Sequence, residues 1–196
     1  VVGFDIAGEE AGHPPTRHLE AFNHVQRENF HSTIHAGEAF GLPSIWEAVQ
    51  LCGAERLGHG VRIVDDITGP AGSEQLGRLA AYVRDRRIPL ELCPTSNVNT
   101  GVCGSIAEHP IGMLRRLRFR VTVNTDNRLM SGVSLTDEYV RCAQHLQFDI
   151  DTLAMLAITS FDSSFLPHVE RESLRESIAI EVGNLLADAE DIAVLL

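Results

Sequence analysis

Not one of the 196 residues is lysine; all 16 basic side chains are arginine. That absence excludes Schiff-base chemistry, a phosphate-cradling P-loop and a carbamylated lysine bridging two metals. The cysteines, Cys52, Cys93, Cys103 and Cys142, include no C-x-x-C pair. A zinc ribbon is therefore not expected, and four scattered thiols fit a reducing cytoplasm better than a disulfide framework. No run approaches the roughly 18 apolar residues of a membrane span, so a membrane partner is not expected. A net charge of −11 leaves no cationic face for nucleic-acid phosphates. Low-complexity tracts, internal linkers and a Met at position 1 are also missing. Val1 stands inside an apparent strand, which leads to the expectation that further sequence precedes it.

What is present is a globular pattern, 44% hydrophobic and long enough for one domain with a substantial core. Five short segments run apolar and then stop on a polar residue or glycine: Val1–Gly8, Ser32–Glu38, Arg56–Gly60, Leu90–Asn97 and Val121–Asn127. From Gly8 to His35 is 27 residues, then 24 to His59, 34 to Cys93 and 33 to Asp126. A βαβ repeat takes about 30 residues. The reading is α/β, a partial TIM-type (β/α)8 barrel with five strands and extra helices at the C-terminal end. A closed barrel needs eight strands and typically about 250 residues, so residues 1–196 read as a single catalytic domain lacking roughly three N-terminal βα units.

Helices are expected between the strands, one of them opened by Pro43 and others by Ser73, Pro110 and the capping-box sequence Ser134-Leu135-Thr136-Asp137. From Asp151 onward the pattern is helical, broken near Asp162–Ser164 and Pro167, and the acidic stretch Glu181 to Asp191 reads as a frayed helix. The polar run Thr95 to Gly104 has the composition of an active-site loop.

In such barrels the loops after the C-terminal strand ends assemble the active site, so His35, Glu38, His59 and Asp126 are expected to converge. Imidazole and carboxylate suit zinc, and a catalytic site keeps a position open for water. Zinc acidifies that water, a neighbouring His orients or deprotonates it, and a carboxylic acid such as Glu38 can protonate the ring nitrogen of an aromatic substrate. Plainer readings stand beside these. Asp5 reads as a buried hydrogen-bonding residue, Cys93 as an inert small hydrophobe, Trp46 and Phe40 as packing residues, and the seven other histidines as solvated. Asp126 and Asn127 suit an Asx-turn or a helix start.

The segments Val2-Gly3-Phe4-Asp5-Ile6-Ala7-Gly8-Glu9, Thr33-Ile34-His35-Ala36-Gly37-Glu38, Glu55-Arg56-Leu57-Gly58-His59-Gly60, Leu92-Cys93-Pro94-Thr95-Ser96-Asn97, Val123-Asn124-Thr125-Asp126 and Ser163-Ser164-Phe165-Leu166 follow one another in a specific order. Together they resemble the adenosine deaminase family of the amidohydrolase superfamily. The resemblance implies Zn2+ held by His35 and Asp126, with Glu38 giving a proton to purine N1. It also implies that His59 orients or activates the zinc-bound water and that Gly8 offers its backbone N–H to purine N3. Water would add at C6 and ammonia leave, converting adenosine or deoxyadenosine to inosine or deoxyinosine in purine salvage.

Two departures accompany the likeness. The family draws two further zinc ligands from a His-x-His pair, and no two histidines here are two apart. A second Asp often follows the metal-binding one to meet purine N7, and here that residue is Asn127, whose amide can donate to N7 without prior protonation. Other 6-aminopurines, such as adenine or a modified nucleoside, remain alternative substrates, although sparse basic residues near the strand ends disfavour a phosphate. A non-catalytic fragment or binding module is the alternative from a different class. Oligomeric state is left open.

Overall fold

The computed structural model describes residues 1–195, with side chains through residue 187. Its centre is a parallel sheet of five strands: β1 (Phe4–Ile6), β2 (Ser32–Ala36), β3 (Arg56–His59), β6 (Leu90–Leu92) and β7 (Val121–Val123), in that spatial order. Each strand pairs with the next one in the chain, and helices α1 (Leu19–Arg27), α2 (Leu42–Gln50) and α3 (Arg78–Asp85) fill the crossovers. This is the arc of a (β/α) barrel, in which chain order and spatial order coincide. Between β3 and β6 a short antiparallel pair, β4 (Ile67–Thr68) and β5 (Gln75–Leu76), is inserted.

Alternation along β2 separates the layers. Ile34 and Ala36 are fully buried with Phe22 of α1 and Ile45 of α2, while Thr33 and His35 belong to the opposite, interior face. On that face an anchor lies below the strand ends. Thr33 donates to Glu91 at 2.9 Å, Arg56 pairs with Glu91 at 2.9 Å, and the Arg56 guanidinium covers Phe165 at 3.7 Å. Phe165 also stacks on His31 at 4.8 Å, so the Ser163–Leu166 segment is fastened under the sheet between two strands.

After β6 come α4 (Pro94–Asn99) and α5 (Ile111–Arg116); after β7 come α6 (Arg128–Ser131), α7 (Leu135–Leu146), α8 (Ile150–Asp162) and α9 (His168–Leu195). Ser134 and Asp137 form the expected reciprocal capping box on α7, and Asp149 caps α8 by accepting from the Thr152 N–H at 2.9 Å. The acidic segment 181–191 is helical in backbone, and its side chains beyond residue 187 lie outside the described set. Among the described residues no helix is long and apolar enough to cross a membrane.

Several expectations are corrected. Ser73 caps no helix: it lies in the turn between β4 and β5, and α3 starts after Gly77, where Asp66 accepts from the Ala80 N–H. The loop expected over Thr95–Gly104 begins as α4, whose first turn takes Pro94 without losing a hydrogen bond. Asp5 is exposed, because the open arc leaves its interior side uncovered. Trp46 and Phe40 are about half exposed, at 48% and 49%. His109, expected at the surface, is only 3% exposed.

Candidate active site

His35 sits near the end of β2 opposite Gly58 of β3, and a Cβ at Gly58 would lie 3.2 Å from the His35 Cα. Glycine there lets the backbone run close beside His35. The chain then turns through Gly37, at φ +77°, where a Cβ would meet Ile45 at 2.5 Å. Glu10 holds this turn. Its buried carboxylate accepts the N–H groups of Gly37, Glu38 and Ala39 at 2.7, 2.9 and 2.6 Å and a short bond from the Ser44 hydroxyl. Burial raises the Glu10 pKa, but the bonds from Ser44 and from the Ala39, Gly37 and Glu38 backbone outweigh it and leave the carboxyl below its ordinary value.

Glu38 is thereby set over the strand ends. Its Oε2 lies 3.7 Å from His35 Nε2, its Oε1 lies 3.7 Å from His59 Nδ1, and the two imidazole rings meet edge to face at 4.7 Å. One ligand atom from each of His35, Glu38 and His59 lies within 4.8 Å of the other two. His59 adopts φ +63°, a strained left-handed conformation for a residue with a side chain. Burial lowers its pKa, with Glu38 opposing and His35 reinforcing the shift, so the ring is a neutral imidazole near pH 7.

Asp126 lines the same cavity as His35 and His59, a space of about 320 Å³ that also touches Asp5, Arg56 and Cys93. It too is left-handed, at φ +55°, and its Oδ2 accepts from Ser96 at 2.7 Å. Gly8 borders an adjoining cavity of about 280 Å³ that shares Ala7 and His35 with the first. Asp126 is exposed and stands outside the His35–Glu38–His59 cluster, and Asn127 does not join that cluster either. Asn127 is exposed and caps α6, its Oδ1 accepting the Met130 N–H at 3.1 Å. Cys93 is buried as expected, and burial pushes its thiol far up.

Sequence reading missed four polar residues of the site. Glu10 follows a quoted motif immediately, and Asn97 and Ser96 lie inside one, but nothing in the spacing of those motifs marks them as partners of Glu38 or Asp126. Thr100 donates to Glu38 Oε1 at 2.8 Å, and Asn97 donates to the same oxygen at 2.9 Å. Only the polar composition of residues 95–104 could have pointed to them.

The profile of the adenosine deaminase family matches residues 1–181. The chain belongs to the adenosine deaminase family. It is 62% identical over 172 residues to adenosine deaminase 1 of Streptomyces coelicolor, covering 87% of this chain and 43% of that protein. The adenosine deaminase of Mycobacterium sp. (strain KMS) is 61% identical over 179 residues, covering 91% of this chain and 49% of that one. The chain thus spans about half the length of the curated relatives it matches. Among solved structures, an adenine deaminase from Arthrobacter aurescens superimposes with a TM-score of 0.84 at 24% identity, over 93% of this chain and 53% of that one. An amidohydrolase from Burkholderia ambifaria with bound Zn gives 0.81 at 23% identity, over 94% and 49%. These likenesses establish the fold as part of a (β/α) barrel.

The donor set suits the divalent metal of this family. The His35 ring makes no hydrogen bond among the described residues and faces two carboxylates, Glu38 at 3.7 Å and Glu10 at 3.8 Å. A free imidazole sharing its cavity with the Asp126 carboxylate is a borderline nitrogen and oxygen set of the kind zinc takes.

Proposed function

We propose that residues 1–196 form a catalytic domain that hydrolyses the 6-amino group of adenosine or deoxyadenosine, giving inosine or deoxyinosine and ammonia, in cytoplasmic purine salvage. The convergence of His35, Glu38 and His59 at adjacent strand ends carries this reading, in a chain 62% identical to an adenosine deaminase. His35 and Asp126 would hold zinc, which when bound supplies an acidified water as nucleophile.

The rest follows from the chain's own groups. Glu38 Oε1 is occupied by the Asn97 and Thr100 donors, so Oε2 is the oxygen free to carry a proton to purine N1. Neutral His59 orients the attacking water. The Gly8 N–H supports purine N3 from the adjoining cavity, and the Asn127 amide offers a donor to N7. Buried Glu10 keeps the turn that carries Glu38 from relaxing when substrate enters. The expected partner is a small purine nucleoside.

Glu38→Gln tests the reading in the full chain. Adenosine turnover, followed by ultraviolet absorbance, should be lost while zinc content is retained, because an amide N–H is too weak an acid to transfer its proton to a ring nitrogen. Turnover at the wild-type rate would remove Glu38 from its role.

A further inference from the structure

His109 lies between β6 and β7, at the start of α5, and its side chain is buried 12 residues along the chain from Asn97. We propose that His109 is a positioning residue: beginning from the Ile111 backbone N–H, it fixes the Asn97 amide and thereby the nitrogen on which His59 carries its proton. The proposal rests on the roles given above to Glu38 and His59.

The relay has one unambiguous end. The Ile111 N–H, which can only donate, meets His109 Nδ1 at 3.2 Å, so that nitrogen presents a lone pair. Burial, with a smaller push from His59, brings the His109 pKa down to about 4, so the ring is neutral at pH 7 and its proton sits on Nε2. His109 Nε2 lies 3.1 Å from Asn97 Oδ1. The reverse amide orientation would set N–H₂ against N–H, so oxygen faces His109 and Nδ2 faces the site. The two amide hydrogens then meet two acceptors, Glu38 Oε1 at 2.9 Å and His59 Nδ1 at 3.1 Å. His59 Nδ1 is therefore a lone pair, and the neutral ring carries its hydrogen on Nε2.

Two consequences follow. His59 offers the attacking water a donor at Nε2 and cannot take a proton there. Glu38 Oε1 is saturated by Asn97 and Thr100, so its second oxygen is kept for substrate. Asn97 is fully buried, and His109 is the only partner of its Oδ1 among the described residues. Without that partner, a buried Oδ1 is left unsatisfied and the amide is held only from the side of Glu38 and His59.

The test uses the full chain labelled with 15N in its histidine rings and long-range 1H–15N correlation spectra, recorded with and without zinc. Wild type should show His59 and His109 as Nε2–H tautomers. His109→Leu should scatter His59 over both tautomers and lower kcat about ten- to a hundredfold with little change in KM, the usual scale for a residue that orients an active-site ligand. His109→Gln, whose amide N–H can reach Asn97, should restore most of the rate and the Nε2–H tautomer. A wild-type His59 protonated on Nδ1 would overturn the relay, as would a folded His109→Leu with full kcat. If His109→Leu does not fold, the wild-type spectra and His109→Gln decide. Full turnover in Glu38→Gln alongside an Nε2–H His59 would refute the functional reading and leave the relay standing. An Nδ1–H His59 in a chain silenced by Glu38→Gln would refute the relay alone.

Discussion

Asn127 caps a helix and, in the proposed site, would also meet the purine with the same side chain. Its Oδ1 is spent capping α6, so only Nδ2 remains to meet a purine. Asn127→Ala would remove cap and donor together, whereas Asn127→Ser keeps a good cap and loses the amide. The serine variant should keep the wild-type melting temperature and show a severalfold rise in KM for adenosine, the equivalent of about 1 kcal/mol for one hydrogen bond; an unchanged KM would leave Asn127 a helix cap only. His109 makes a different prediction. Its pKa falls from 6.5 to about 4 on folding, chiefly through burial, so between those values the unfolded chain binds the proton and the folded chain does not. Its contribution is complete above about pH 6.5 and drains as pH falls toward 4, roughly 3 kcal/mol over the window. Urea midpoints across that range should fall less steeply for His109→Gln, which has no ring to protonate. Identical slopes would show that other groups set the acid sensitivity.

Among the elements, the turn after β2 depends most on a distant residue. Glu10 replaces water for three backbone N–H groups in a place where no strand or helix can satisfy them. Glu10→Gln turns part of that acceptor into a donor facing donors, at a cost of about 1 to 3 kcal/mol. Because the same turn carries Glu38, kcat should fall as well, and a variant that loses stability with kcat intact would separate the turn from catalysis. The strands themselves were largely legible. β3 starts at Arg56 as read and stops one residue short of Gly60, and the other four are present but shorter by two to several residues at their ends. Strand ends fray outward from apolar cores, so apolar runs overstate them. The β4–β5 pair was not legible, because two residues per strand are too few to display a period of two.

For the molecule as a whole, the five-stranded arc ends in two edges, on β1 and β7, that are unpaired among the described residues, and the chain spans about half the length of the curated relatives it matches. In the proposed site His35 and Asp126 would supply two ligands, where a catalytic zinc site uses three or more protein ligands. The 196 residues in isolation are therefore expected to hold zinc more weakly and deaminate adenosine more slowly than the Streptomyces coelicolor relative, of which they match 43%. Metal analysis after dialysis and turnover per mole of chain would check this. Equal rates from the two would mean that the arc alone completes the site.

The order of the βα units, their spacing near 30 residues, and His35, Glu38, His59 and Asp126 at strand ends could all be read along the chain, because each is a local pattern repeated at a regular interval. The absence of lysine narrowed the chemistry in the same direct way. The residues that hold those groups in place could not be read so. Glu10 reaches Gly37 across 27 positions, Asn97 reaches Glu38 across 59, and His109 closes on Asn97 from 12 residues further along the same crossover. Such hydrogen bonds have no periodicity and leave no trace in composition. They exist only once burial has removed water and obliged each polar atom to find a partner elsewhere in the fold.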